Sequence, residues 1–260
     1  MAGGFFRKVR IMFLLYVLLI VAGTAWLAKA RSTDWDDALR VAIYPINGDG
    51  GEFTSEHIAS LSFDSFNEIE NYFEREADRY GLVLDHPVDV YLSKPLDKNP
   101  PLPPAEQSPL GVMWWSLKLR YWAWRNDNYE YPKDIKLFVI YFDPEKHKYL
   151  RHSLGLQKGL IGIVNVFSGD RMERDNKVII AHELLHTIGA TDKYDAASNL
   201  PFYPAGYAEP EKDPVLPQDM AEIMGGRIPV TQTRAKAPES LDETVIGEAT
   251  AMEIRWLDDR

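Results

Sequence analysis

The chain contains no cysteine. That excludes a disulfide framework and any thiolate metal site, and it suits an oxidising compartment, where nothing can mispair. Basic residues are in the minority: 29 Lys and Arg stand against 39 Asp and Glu, for a net charge of −10. A nucleic-acid partner is therefore not expected, since phosphate binding needs a basic face. Internal repeats are absent, so a solenoid is not expected. Apolar residues are not scarce. At 45% of the chain, with 12% aromatic, they exclude disorder and point to a globular core.

The N-terminus carries the longest hydrophobic run. Arg7, Lys8 and Arg10 precede an unbroken uncharged stretch from Ile11 to Ala28. Its length just reaches a bilayer span and exceeds the usual core of a cleaved signal peptide. The expectation is a membrane anchor over residues 1–31, with the basic flank in the cytoplasm. The rest is then exported to the far side of the membrane. Small residues at Ala28 and Ala30 leave a cleaved signal, and a secreted or periplasmic product, as the alternative. Residues 32–260 suffice for a single domain.

Beyond the anchor, Leu39 to Ile46 reads as a strand closed by the turn cluster NGDGG. Thr54 to Tyr80 has helical spacing and a stop at Gly81. Val88 to Ser93 and Asp134 to Phe142 read as strands, and so does Gly159 to Ser168. Gly111 to Arg125 reads as a core helix with basic ends reaching outward. A membrane-surface helix is its alternative. Lys177 to Gly189 is helical, with Asp175 or Asn176 as cap. A proline-rich irregular segment follows, then a closing helix over Glu243 to Leu257. The order predicts an α+β fold, a mixed sheet with packed helices, preceded by the transmembrane helix.

The chemistry concentrates in VIIAHELLHTIGATDKYD, Val178 to Asp195. His182 and His186 are one helical turn apart on nearly the same face, so each can aim a ring nitrogen at one point. That is the geometry of two zinc ligands. Glu183 lies about 100° around the helix, where it can reach a water on the metal and act as general base. Gly189 is placed to end the helix in a left-handed turn. Asp192 then returns as third ligand, leaving a fourth position open for water. His57, His86, His147 and His152 stand alone and read as surface or satisfied histidines.

The pattern H-E-x-x-H-x-x-G-x-x-D resembles the metzincin zinc metallopeptidases, above all those with aspartate as third ligand. HELLHTIGATDKYD is similar to the active-site segment of bacterial immune inhibitor A-type peptidases. The complete chain is also similar to membrane-anchored Gram-negative proteins that carry this segment, which implies a domain in the periplasm, at the outer face of a bacterial inner membrane. The resemblance implies a zincin-like domain, one zinc ion, and a peptide or protein substrate. It implies a turn methionine beneath the metal, matched here by Met224 in AEIMGG. It also implies an edge strand that pairs with substrate, and Gly159 to Ser168 occupies that place in the sequence.

The match has departures. Many metzincins have a third histidine where Asp192 stands. Several have an oxyanion-stabilising tyrosine where Gly226 stands, which leaves Tyr194, by proximity, as the candidate stabiliser. Another zincin class takes a downstream glutamate as ligand, so Glu222 is the alternative to Asp192. Two other functions compete with the peptidase. One is a catalytically silent, metal-stabilised zincin-fold binding or assembly protein. The other is a non-haem iron enzyme, because two histidines and a carboxylate also make an iron facial triad. Oligomeric state is not legible.

Overall fold

The apolar runs become the strands of one sheet, and helices cover both of its faces. The computed structural model describes residues 7–13, 15, 16, 19, 23, 33–104 and 108–257. In chain order, the first elements are β1 (Leu39–Asn47), α1 (Glu52–Ser60), α2 (Asn67–Tyr80), β2 (Val88–Leu92) and α3 (Pro109–Arg125). Then come β3 (Ile135–Phe142), β4 (Leu154–Leu156), β5 (Ile161–Phe167) and α4 (Glu173–Ile188). The C-terminal part adds β6 (Ala221–Glu222), β7 (Ile228–Thr231), β8 (Arg234–Lys236), β9 (Thr244–Val245) and α5 (Glu248–Glu253).

The main sheet has five strands in the order β2-β1-β3-β5-β4. The first four are parallel, and β4 runs antiparallel to β5 at the end of the sheet. Parallel strands are buried on both faces, which is why β1, β3 and β5 read as nearly continuous apolar runs. On one face, Val41, Ile43, Leu137, Val139 and Val164 pack in a core with Ile69 and Phe73 of α2 and Ile180 and Leu184 of α4. On the other, Ala42, Tyr44, Phe138 and Ile140 pack with Trp115 and Leu119 of α3. The result is a three-layer sandwich, and α3 is a core helix on its inner side. Its outer side leaves Trp114, Tyr121 and Trp124 exposed.

Several expectations are corrected. A membrane span needs about 20 consecutive apolar residues in one helix. Among the described residues, no helix is long and apolar enough to cross a membrane. The transmembrane helix, and the single-pass inner-membrane placement built on it, are not supported. Most of the run from Ile11 to Ala28 lies outside the described residues.

The helix expected over Thr54 to Tyr80 is two. Ser62 and Ser65 cap each other's backbone around a 3-10 turn at Phe63–Phe66, and that local bonding competes with a continuous helix. Gly81 does end α2, in the left-handed conformation at φ 70°. Helix α4 starts at Glu173, ahead of the expected caps, and Asn176 instead donates its side-chain amide to the carbonyl of Phe167. The closing helix shrinks to α5, because Thr244 and Val245, both short β-formers, pair with β6. The expected edge strand, β5, is internal. The edge is β4, only three residues long.

Candidate metal centre

Helix α4 is apolar toward the sheet. Ile180, Ala181, Leu184, Leu185 and Ile188 are all buried, which fixes the helix and leaves His182 and His186 only partly covered. Gly189 ends the helix at φ 116°, a conformation natural to glycine. The N–H groups of Gly189 and Ala190 both donate to the carbonyl of Leu185, at 3.1 and 3.0 Å. This turn brings the Ala190 carbonyl to 2.9 Å from Nδ1 of His186. Nδ1 of His182 lies 2.9 Å from the carbonyl of Ile223. A carbonyl can only accept, so each Nδ1 is the donor and Nε2 is the nitrogen left free of the backbone.

Both free nitrogens face Asp192. Its Oδ1 lies 3.3 Å from Nε2 of His182 and 3.1 Å from Nε2 of His186. Ligand atoms held at about 2.0–2.1 Å by a tetrahedral zinc are spaced about 3.3 Å apart. The two edges from Asp192 therefore already have the length of a zinc tetrahedron's edge, and all three donor atoms lie within 4.8 Å of one another. Burial alone would raise the Asp192 carboxyl, but the hydrogen bonds and charge of the two histidines hold it well below the usual carboxylate range. For His186, burial works downward, and the Asp192 contact and nearby Glu183 outweigh it.

Asp192 is fixed from both sides. The backbone N–H and hydroxyl of Thr191 donate to the Glu253 carboxylate at 2.8 and 2.6 Å. Nζ of Lys193 donates to the same carboxylate at 2.7 Å, and its backbone N–H donates to the carbonyl of Met224 at 2.9 Å. Glu253 comes from α5, and nothing in the local motif announces it.

Glu183 points elsewhere on the helix. Its side chain is buried, and Oε2 has no hydrogen-bond partner. Burial raises its carboxyl, the two histidines pull it down, Asp192 pushes it up, and the nearby Gly155 backbone N–H lowers it. Gly155 belongs to β4, which lies directly on α4. A Cβ there would fall 2.3 Å from Cβ of His186 and 2.7 Å from the carbonyl of Glu183. The sequence reading missed this glycine; its only signal is its place between Leu154 and Leu156.

The remaining candidates are placed as follows. Tyr194 has its ring 6.5 Å from that of His182, with its hydroxyl near enough to Asp192 to feel the carboxylate's charge. Burial, and then the charge of Asp192, raise its phenol. It lines a cavity of about 190 Å³ with His182, Asn199, Gly225, Gly226 and Arg227. Met224 is fully buried, in a turn closed by the N–H groups of Gly225 and Gly226 on the carbonyl of Glu222. Glu222 is not brought to the histidines. Its carboxylate accepts from the Thr250 hydroxyl at 2.6 Å, the Gly225 N–H at 2.7 Å and the Gly247 N–H at 3.2 Å.

Among solved structures, the chain is similar to OgpA from Akkermansia muciniphila, at 11% identity and a TM-score of 0.34. The match covers 84% of this chain and 63% of that one, so the chain spans less than two thirds of that structure's length. No family model and no curated protein matches. A likeness at that level carries no argument about activity, and the chemistry must be judged on the site itself.

Proposed function

We propose that the protein is a zinc-dependent peptidase of the metzincin kind. The reading rests on one arrangement: Asp192 Oδ1 lies 3.3 and 3.1 Å from the free nitrogens of His182 and His186, with the buried carboxylate of Glu183 beside them. His182, His186 and Asp192 would hold the ion. When bound, zinc supplies Lewis acidity toward a peptide carbonyl and acidifies a water at the open fourth position.

Glu183 takes a proton from water as the water attacks the carbonyl carbon, then passes it to the departing amine. Its unpartnered Oε2 leaves an acceptor for that proton. The Tyr194 hydroxyl lines the cleft and is the donor available to the developing oxyanion. Arg227 lines the same cleft and offers a cation to a substrate carboxylate or carbonyl. The outer edge of β4 pairs with no strand among the described residues. An extended peptide added there is held by backbone hydrogen bonds, beside Glu183.

The reading is tested by incubating the zinc-loaded chain with a mixed peptide pool and identifying new termini by mass spectrometry. Cleavage that disappears with a chelator and returns with zinc is the expected result. A zinc-loaded chain that leaves the pool intact contradicts it.

A further inference from the structure

A second group of side chains with metal-ligand chemistry stands at the other end of α4. His57 of α1, Asp170 of the 3-10 turn Asp170–Met172, and Glu173, the first residue of α4, each offer one ligand atom. These atoms lie within 4.8 Å of one another. Glu173 precedes His182 by nine residues, which at the helical rise is about 14 Å along the axis. The group is thus separate from the centre at Asp192.

His57 is the informative member. It is only 6% exposed, yet neither ring nitrogen has a hydrogen-bond partner. A buried imidazole left wholly unsatisfied is costly and calls for a partner. Its ring is set edge-on against Tyr141 at 5.1 Å, so packing holds it in place. Burial pushes it below the ordinary histidine value, against the pull of Glu173 and Asp170, and so keeps it neutral with a lone pair to give. The residues around it open on a cavity of about 650 Å³ lined by His57, Ser168, Asp170 and Arg171, which gives an ion an entry path.

We infer that His57, Asp170 and Glu173 form a second site for a divalent cation of the zinc class. One imidazole and two carboxylates are a mixed N/O donor set that suits zinc, and the imidazole disfavours calcium. Tetrahedral edges of about 3.3 Å require these donors to close by about 1.5 Å at most. Asp170 is exposed and free to turn inward. Two carboxylates neutralise the ion, so the positive end of the helix dipole does not oppose the bound set. The nearest buried cation, Lys177, is paired with Glu68 at 3.0 Å. Bound there, the ion ties α1 to the start of the helix that carries the first centre.

The test is zinc stoichiometry of the full chain after dialysis, by plasma mass spectrometry. Wild type is expected to hold two equivalents. His57→Gln, and separately the Asp170→Asn/Glu173→Gln pair, should each hold one, and so should Asp192→Ala. Asp170 is exposed and Glu173 half-buried, so the carboxylate pair guards against a misfolded His57 variant. Zinc should also raise the melting temperature of wild type further than that of the pair variant. One equivalent in wild type that survives both His57→Gln and the pair overturns this site and leaves the peptidase reading intact. One equivalent lost in those variants but kept in Asp192→Ala supports this site and removes the peptidase reading.

Discussion

Asp192 is held through its neighbours. Thr191 and Lys193 converge on the same carboxylate, Glu253, whose ionised form their hydrogen bonds favour. Loss of that anchor lets Asp192, the proposed third ligand, drift while both histidines stay in place. Glu253→Ala is therefore expected to weaken zinc binding by about 10–100-fold, the usual effect of removing a ligand's supporting hydrogen bonds. Competition with a chromophoric chelator measures it, and an unchanged affinity would show that Asp192 needs no such support. His182, Glu183, His186 and Asp192 were legible in the sequence because a helical turn and a short loop fix their spacing locally. Glu253 was not, because it meets Thr191 across 62 residues. The grouping of His57 with Asp170 and Glu173 was not legible for the same reason: the three meet only through the fold.

At the scale of elements, β4 decides whether the cleft has an edge. The strand carries no sequence signal, since three residues show no period, so Gly159 to Ser168 looked like the edge instead. The long strands were legible because burial on both faces makes their apolar runs continuous. Gly155 is what lets β4 lie against α4 at the level of Glu183 and His186. Gly155→Ala must push strand and helix apart. It is expected to cost about 1–3 kcal/mol, as overpacking does. A shift of about 1 Å at the reacting groups should lower kcat about 100-fold. Urea unfolding and peptide turnover measure the two effects, and full turnover in this variant would mean that substrate does not use the β4 edge.

Across the whole molecule, the sheet is clamped to the end of α3 by Asp127. Its carboxylate accepts from the Tyr44 hydroxyl at 2.6 Å and pairs with Lys136 at 2.6 Å and Lys133 at 2.9 Å. Burial opposes its ionisation, but the bonds from Lys136, Tyr44 and Lys133 win and lower its pKa to about 2. A depressed folded pKa gives stability that is present above the unfolded value of about 4. That stability is lost as pH falls through the folded value. Asp127→Asn should thus cost about 1 kcal/mol at neutral pH and flatten the decline in stability between about pH 4 and pH 2. An unaltered acid limb in urea titrations would refute the clamp. The central claim concerns Glu183, and one measurement meets it directly: the peptide cleavage rate of Glu183→Gln at the same zinc content as wild type. The account predicts that the variant keeps its zinc and loses about 10²–10⁴-fold in rate. Undiminished cleavage by a zinc-loaded Glu183→Gln chain would contradict it.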